Sequence, residues 1–351
     1  MAAFRIAVIG GDGIGPEVIA QAVRVAERAA RHDRAELQWN HLPWGSEYYQ
    51  AHGRILPADG WDILRRHDAI LFGAIGSPKV PEAVTAHELL LPMRRRFDQY
   101  VNLRPSVLYA GVASPLRDKA PGSIDIAVYR ENTEGEYAPI GGRLYAGLPA
   151  ELAIQTSVFT RRGCERLMRA AFAAARKRRK LVTSITKSNA LIYGLALWDE
   201  AFQTVAAEFP DVRAESLLVD AAAMDLVRRP ERFDVVACSN LFGDILTDLA
   251  AAVTGSIGLA ASGNINPERT APSMFEPVHG SAPDIAGRGI ANPLAAILSA
   301  GLMLDHLGLA DSAAAIRAAV TTVLQNGEAM SPDLGGRATT GEVAEAVLAR
   351  V

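Results

Sequence analysis

The sequence predicts an α/β fold with a largely parallel sheet, because short apolar segments alternate with longer segments of helical periodicity. From its length of 351 residues, we expect about two domains. Hydrophobic residues make up 49% and charged residues 21% of the chain, ordinary values for a folded protein that exclude general disorder.

The individual elements follow from apolar runs and their periodicity. Strands are predicted at residues 4–9, 69–72, 124–129, 181–186 and 233–238. Helices are predicted at residues 16–30, 164–179, 195–208, 244–253, 292–307 and 312–325. Pro16 suits the first turn of its helix, where a missing N–H group costs nothing.

Charge and cysteine content exclude several classes of protein. The net charge of −3 does not favour a nucleic-acid partner, which would be bound through a basic surface. Cys164 and Cys238 are too few for a disulfide framework, so we expect reduced thiols. The apolar stretch at residues 294–304 is too short to span a membrane, and residues 4–9 do not resemble a secretory signal. We therefore expect a cytoplasmic protein without a membrane partner.

A glycine-rich turn, Gly10 to Glu17, joins the first strand to the first helix. Its glycines do not have the G-x-G-x-x-G spacing of a dinucleotide-binding fingerprint, which argues against an ordinary Rossmann dehydrogenase. The residues leave two readings open, a ligand site and a tight strand-to-helix turn.

Two aspartates indicate a possible metal site. Asp244 and Asp248 are four residues apart and share one helix face, where their like charges repel unless a cation lies between them. Asp220 follows an apolar run and is a candidate third ligand. Solvated aspartates near a helix N-terminus remain an equal alternative.

Other polar segments follow predicted strands or lie in loops. Lys187 is one of few lysines in an arginine-rich chain, and a desolvated lysine can act as a base. Arginines such as Arg94 and Arg104 suit carboxylate ligands. Residues 276–287 are predicted to form a loop, since they contain two prolines and two glycines.

Together these segments resemble the β-decarboxylating dehydrogenases of the isocitrate/isopropylmalate dehydrogenase family. The matching motifs, in order, are GGDGIGPE (10–17), NLRP (102–105), RENTEGEY (130–137), TKSN (186–189), NLFGDILTD (240–248) and EPVHGSAPDIAG (276–287). The resemblance implies a two-domain α/β fold with a long mixed sheet, not a Rossmann fold. It also implies a homodimer whose active sites are shared between subunits. The first domain would combine residues 1–98 and 256–351, and the second would contain residues 99–255 with a dimer-locking arm near 135–160.

The resemblance also implies roles for individual residues. Substrate carboxylates would be bound by Arg94, Arg104 and Arg130, and Mg²⁺ or Mn²⁺ by Asp220, Asp244 and Asp248. Lys187 would be the base at the 2-hydroxyl group and Tyr137 the acid at C3, with Lys187 and Asp220 supplied by the partner. The NAD site would include His279, Gly280, Ser281, Ala282, Asp284 and Asn292. Asp284 would accept hydrogen bonds from a ribose diol and disfavour a 2′-phosphate, so NAD is expected rather than NADP.

The substrate implied is a 2-hydroxy dicarboxylic acid with a malate core. Residues 44–49, 52–54, 97–102 and 263–269 resemble the tartrate/D-malate branch, whereas 219–224 look more like the isopropylmalate branch. Residues 84–91 depart from both, and Leu90 and Leu91 could pack against a small alkyl group. We therefore expect oxidative decarboxylation of D-malate or tartrate, with 3-isopropylmalate as the alternative. A non-catalytic regulatory subunit is disfavoured because the lysine, tyrosine and aspartates are all present.

Overall fold

The computed structural model describes residues 2–351, which form twelve strands and twelve α-helices. The strands are β1 (Ala3–Gly11), β2 (Glu36–His41), β3 (Ala69–Ala74), β4 (Val101–Val107), β5 (Asp125–Glu131), β6 (Gly141–Leu144), β7 (Leu152–Gln155), β8 (Leu181–Thr186), β9 (Arg213–Leu218), β10 (Val235–Cys238), β11 (Ala261–Ile265) and β12 (Ser273–Pro277). The helices are α1 (Gly15–Ala29), α2 (Ser46–His52), α3 (Gly60–Arg65), α4 (Glu82–Thr85), α5 (Leu91–Arg96), α6 (Arg161–Ala175), α7 (Gly194–Glu208), α8 (Val219–Arg228), α9 (Asn240–Val253), α10 (Leu294–His306), α11 (Ala310–Asn326) and α12 (Thr340–Leu348). A π-helical turn at Ala86–Leu90 connects α4 to α5.

Ten strands form one sheet in the order β2-β1-β3-β12-β11-β4-β5-β10-β8-β9. The antiparallel pairs all involve β4 or β11, so the sheet is mixed, as the family resemblance implied. Six of the nine strand pairs are parallel, so the sheet is largely parallel, as the alternation of elements predicts. The sequence did not predict β2, β9 and β12, nor the two strands of the antiparallel pairs, β4 and β11. Neither is a continuous apolar run, because β4 contains Arg104 and Pro105 and β11 contains Gly263 and Asn264.

Helices cover both faces of this sheet. Alternate residues of one strand point to opposite faces, and β10 shows this clearly. Val235 and Ala237 belong to the core beneath α6 and α7, whereas Val236 and Cys238 belong to the core beneath α8 and α9. In the other half of the sheet α1, α10, α11 and α12 pack together over a third core. The strand alternation therefore places α9 on the same face as the even-numbered side chains of β4 and β5.

The glycine-rich turn is a tightly packed strand-to-helix connection. Gly13 has a φ of +58°, and a Cβ there would lie 2.0 Å from the carbonyl oxygen of Ser281. The amide of Ile14 donates to that same oxygen at 2.9 Å. The buried carboxylate of Asp12 accepts from the Ser46 amide and hydroxyl and from the Gly76 amide, at 2.6–2.8 Å. The turn thus fixes the loop around Ser281 and the residues that follow β3.

Six helices, α2 to α5, α8 and α12, were also not predicted, and the other differences are local. Glu276 and Pro277, which were expected in a loop, end strand β12, and they are buried despite the proline. Helix α10 begins at Leu294, so Asn292 precedes it and accepts a hydrogen bond from the Leu294 amide at 3.0 Å. Among residues 2–351, no helix has both the length and the apolar character needed to cross a membrane.

Candidate active site

Two arginines lie on the face of the sheet that α9 covers. Arg104 of β4 is opposite Val128 in the register, two residues before Arg130 on β5. Arg130 is only 1% exposed, and its Nε and Nη2 donate to Oδ1 of Asn240 at 3.1 and 2.7 Å. A Cβ at Gly243 would lie 2.5 Å from Cγ of Arg130, so a glycine here lets α9 approach the arginine.

The carboxylates of α9 face these arginines. Oδ1 of Asp244 accepts from Arg130 Nη1, and Oδ2 accepts from the Tyr137 hydroxyl at 2.6 Å. Nη1 of Arg104 lies 3.5 Å from Asp244, 3.9 Å from Asp248 and 2.8 Å from Oγ1 of Thr247. Asp244 and Asp248 therefore share one helix face, as their spacing predicts. That face is directed towards the guanidinium groups of Arg104 and Arg130.

Burial and charge alter the protonation of this cluster. Burial raises the pKa of Asp244, but the charge of Arg130 and the hydrogen bond from Tyr137 outweigh it, so the pKa lies below its usual value. Burial raises the pKa of Asp248. Burial and the hydrogen bond to Asp244 raise the pKa of Tyr137 to about 12, so its hydroxyl remains a proton donor near neutral pH. Burial and the neighbouring Arg104 lower the pKa of Arg130 to about 10.

Arg94 approaches the same region from α5. Its Nη2 donates to Oε1 of Glu276 at 3.3 Å, and Nδ2 of Asn264 donates to that same oxygen at 2.8 Å. The Nε atoms of Arg94 and Arg104 are both buried and have no hydrogen-bond partner among the described residues. Buried guanidinium donors without partners are unusual, and they leave capacity for an anionic ligand.

Lys187 and Asp220 form a separate pair. Lys187 follows β8, Asp220 lies in the first turn of α8, and Nζ of Lys187 donates to Oδ1 of Asp220 at 2.6 Å. The hydrogen bond from Lys187 lowers the pKa of Asp220. Across residues 2–351 no three His, Cys, Asp or Glu side chains come together as a metal-binding group. One chain therefore does not bring Asp220 to Asp244 and Asp248.

The loop predicted to bind the cofactor borders a cavity of about 500 Å³. Its lining includes Gly280 and Ser281, together with Leu90 and the residues after β3. Leu91 begins α5 and is half-buried. Nδ1 of His279 lies 3.0 Å from the Gly280 carbonyl oxygen, while its Nε2 is buried and has no partner among the described residues.

The other residues predicted for the cofactor site are dispersed around this loop. Ala282 has an unusual positive φ of 39°, and Asp284 is exposed. Asn292 is buried, with its Nδ2 donating to Oδ2 of Asp333 at 3.0 Å. The structure thus places Gly280 and Ser281 at the cavity and gives Asn292 a structural hydrogen bond.

Several residues of the site were not predicted from the sequence. Asn240 and Thr247 orient Arg130 and Arg104, and Glu276 holds Arg94. Glu136 accepts from the Ser239 hydroxyl at 2.7 Å and the Leu241 amide at 3.1 Å, which anchors the start of α9. Thr247 lies three residues after Asp244 and one before Asp248, so helical spacing alone could have placed it on their face. No local signal pointed to Glu276.

The comparisons with known proteins agree with this architecture. The model of the family described as isocitrate/isopropylmalate dehydrogenase matches residues 5–347. The chain is 48% identical over 349 residues to a probable tartrate dehydrogenase/decarboxylase of Agrobacterium vitis, covering 99% of this chain and 97% of the relative. It is 50% identical over 355 residues to the decarboxylating D-malate dehydrogenase of Escherichia coli, covering 99% and 98%.

Two further similarities extend across the family. A 3-isopropylmalate dehydrogenase of Thermobifida fusca is 51% identical over 349 residues, covering 99% of this chain and 97% of the relative. The crystal structure of isocitrate dehydrogenase from Methylococcus capsulatus superimposes with a TM-score of 0.90 at 36% identity, covering 99% of each chain. From the match over nearly its whole length, the chain belongs to the isocitrate/isopropylmalate dehydrogenase family, whose members are β-decarboxylating dehydrogenases.

Proposed function

We propose that this protein catalyses the NAD-dependent and divalent-metal-dependent oxidative decarboxylation of a malate-type 2-hydroxy acid, with D-malate or tartrate as substrate. Relatives named for those two substrates are 48–50% identical to it. The main support for the proposal is a cluster of buried arginines that faces Asp244 and Tyr137. In this cluster the Nε atoms of Arg94 and Arg104 have no hydrogen-bond partner among the described residues. The cluster combines anion binding, a carboxylate site for a cation and a proton donor.

The arginines supply the binding of the substrate. A malate core carries two carboxylates, and guanidinium groups form paired hydrogen bonds with carboxylates. Arg94, Arg104 and Arg130 are all buried, at 7%, 7% and 1% exposure. Since buried charges attract more strongly than exposed ones, these three side chains bind and orient a dianionic acid.

The donor set near α9 suits a hard divalent cation. Carboxylate oxygens are the preferred ligands of Mg²⁺ and Mn²⁺, and Asp244 and Asp248 present two carboxylates on one face. A third ligand comes from the partner's Asp220 in this proposal. The Asp248 side chain is 63% exposed, so a residue of a second subunit can reach it from the solvent side.

The buried Nε2 of His279 has no hydrogen-bond partner among the described residues, and a cavity lies beside its loop. Both features suit the binding of a dinucleotide. His279, Gly280, Ser281, Ala282, Asp284 and Asn292 are the residues that we assign to the NAD site. NAD bound there would supply the acceptor for the hydride of C2, and a cation held by the aspartates would supply the positive charge that acidifies the 2-hydroxyl group and stabilises the charge that develops on loss of CO₂.

The proton transfers are assigned to side chains of the protein. The partner's Lys187 removes the proton of the 2-hydroxyl group. The Tyr137 hydroxyl, which is protonated near neutral pH, donates its proton to C3 after decarboxylation. Asp244 orients that hydroxyl through the 2.6 Å hydrogen bond.

A homodimer with shared sites accounts for the exposed apolar surface. The hairpin of β6 and β7 and its flanks, which we call the arm, expose Ile140, Leu144, Tyr145, Leu148, Leu152 and Ile154 at 41–60%. Met224 of α8 and Ile245 of α9 are also exposed, at 57% and 60%. These two lie close in sequence to Asp220 and Asp244, so a second copy docking there brings the partner's Asp220 and the partner's Lys187 to this site.

We also propose the division into two domains, 1–98 with 256–351 and 99–255. Strands from the first set occupy one half of the sheet, from β2 to β11, and strands from the second occupy the other half. The two halves meet where β4 pairs with β11.

The second candidate substrate is 3-isopropylmalate. Leu90, Ile75 and Val80 give the cavity beside the cofactor loop an apolar wall, which suits an alkyl group at C3. An apolar wall discriminates by only about 1–3 kcal/mol per methylene, so activity on more than one C3 variant is consistent with it.

The test is NADH formation at 340 nm with D-malate, tartrate, 3-isopropylmalate and isocitrate, in the presence of Mn²⁺ and then of a chelator. We expect turnover with D-malate or tartrate, release of CO₂ and loss of activity on chelation. Higher kcat/KM with 3-isopropylmalate would favour the second candidate, and activity that survives chelation would contradict the metal assignment.

A further inference from the structure

A short turn connects helix α5, which carries Arg94, to strand β4. In this turn, residues 97–100, the Gln99 amide donates to the carbonyl oxygen of Arg94 at 2.9 Å. The Phe97 amide donates to the Met93 carbonyl oxygen at 3.1 Å. Asp98 has a φ of +44°, a conformation that a side-chain-bearing residue rarely adopts. The orientation of Arg94 is therefore coupled to this turn, which also leads into the strand that bears Arg104.

One side chain from α6, Arg166, holds the turn in place. Its Nη1 donates to both carboxylate oxygens of Asp98, at 2.8 and 2.9 Å. Its guanidinium lies 4.1 Å from the centre of the Tyr100 ring. Its Nη2 donates to Oγ1 of Thr133 at 2.9 Å. The planar guanidinium thus uses its edges for hydrogen bonds and its face for a cation–π contact.

These contacts extend to both halves of the sheet. The Tyr100 hydroxyl donates to Oε1 of Glu268, in the connection between β11 and β12, at 2.7 Å. Thr133 donates its hydroxyl proton to Oε1 of the buried Glu131 at 2.9 Å and lies four residues before Tyr137. Arg166 therefore joins α6, the turn before β4, the segment leading to Tyr137 and, through Tyr100, a loop of the other half of the sheet.

The Asp98 end of the ion pair with Arg166 is 48% exposed to water, which screens it, whereas the Arg166 side chain is 19% exposed, so the contacts affect geometry as well as stability. A displacement of about 1 Å between reacting groups can lower a rate by about a hundredfold. The turn lies between Arg94 on α5 and Arg104 on β4 in the chain, whereas Arg130 comes from β5.

We propose that Arg166 is a positioning residue that fixes Arg94 relative to Arg104 and Arg130 by clamping the turn at residues 97–100, a role that rests on the proposed function. It does not contact the substrate. Its loss loosens the turn, so the three arginines no longer match the spacing of the two substrate carboxylates.

The test replaces Arg166 by methionine and by lysine. Arg166→Met keeps the length of the side chain without its charge, and Arg166→Lys keeps the charge without the planar donors. The matched control is Arg169→Met on the same helix, since Arg169 forms a similar paired contact with Glu208 at 2.7 and 2.9 Å on the surface. For Arg166→Met we expect the KM of the hydroxy acid to rise roughly tenfold, the KM of NAD to change less than about twofold, and lysine to restore part of the loss. The control keeps both KM values.

Amide hydrogen exchange provides a readout that needs no substrate. The amides of Phe97 and Gln99 should exchange faster in Arg166→Met than in Arg169→Met. Unchanged exchange at these amides overturns the proposal, as does a lowered Tm with an unchanged KM for the hydroxy acid. If Arg166→Met does not fold, Arg166→Lys and Asp98→Asn are judged by the same criteria. If the native protein oxidises none of the acids, the proposed function fails, and the exchange comparison alone decides whether Arg166 holds the turn.

Discussion

The hydroxyl of Tyr137 and Arg130 Nη1 donate to different oxygens of one carboxylate, that of Asp244. The guanidinium carbon of Arg130 also lies 5.5 Å from the centre of the Tyr137 ring. One aspartate of α9 therefore aligns a proton donor and a cationic group that come from the same segment of chain, residues 130–137. This arrangement motivates the first prediction.

Tyr137→Phe should lower kcat by about 10²- to 10⁴-fold, the usual contribution of a positioned acid. The fold should persist, since the ring remains over Arg130. Steady-state kinetics with D-malate and tartrate measure the effect, and Tyr48→Phe, on the stacked Tyr48–His52 pair of α2, is the control. A kcat within about twofold of the native value would remove Tyr137 from the proton-transfer role.

Asp248→Asn should abolish stabilisation of the protein by Mn²⁺. A ligand that binds only the folded state stabilises it by about 2.7 kcal/mol at a hundred times its Kd, so Mn²⁺ should raise the Tm of the native protein. Thermal unfolding with and without Mn²⁺ measures this, with Asp305→Asn on α10 as the control. An equal rise of Tm in native protein and Asp248→Asn would show that the cation binds elsewhere.

Gly13→Ala should destabilise the protein and weaken NAD binding. The added methyl group would lie 2.0 Å from the Ser281 carbonyl oxygen, and the φ of +58° is unfavourable for alanine. We expect a loss of roughly 1–3 kcal/mol in the free energy of unfolding and an increased KM for NAD. Denaturant unfolding and kinetics test it against Gly341→Ala, where a Cβ meets nothing within 4 Å. A neutral Gly13→Ala would mean that the Ser281 loop moves freely.

His306 should make the protein less stable in mild acid. Burial, with a contribution from Arg269, lowers the pKa of His306 from 6.5 to about 4. Between these values the unfolded chain binds a proton that the folded chain does not, so the free energy of unfolding falls as the pH falls. The loss between pH 7 and pH 5 is on the order of 2 kcal/mol.

Urea unfolding of the native protein and of His306→Gln at both pH values measures this contribution. The variant should lose correspondingly less stability on acidification, because glutamine binds no proton. An identical pH dependence in the two proteins would assign the effect to other groups.

Leu144→Lys combined with Ile154→Lys should convert a dimer into monomers and remove activity. Both side chains are exposed on the arm, at 55% and 58%, and lysine opposes burial of that surface. Light scattering measures the mass, and Ala310→Lys, at the exposed start of α11, is the control. Monomers that retain full turnover would contradict a site shared between subunits.

Local patterns predicted those parts of the fold that depend on neighbours in the chain. The apolar run at 233–238 became β10 with Val235–Cys238 buried, and the spacing of Asp244 and Asp248 placed both on one face of α9. In contrast, β4 was missed because the buried, charged Arg104 breaks the apolar pattern of a strand. Glu276 was missed for another reason. Its partner Arg94 is far away in sequence, so no local pattern links the two residues.

The sequence by itself determined the family, the α/β composition and the identities of the charged side chains, because motifs and periodicity are properties of consecutive residues. Only the tertiary structure decided which charges meet. It joined Tyr137 to Asp244, Arg94 to Glu276 and Arg166 to Asp98. Such pairs form when distant strands and helices pack together, since the interaction depends on distance in space and burial rather than on separation along the chain.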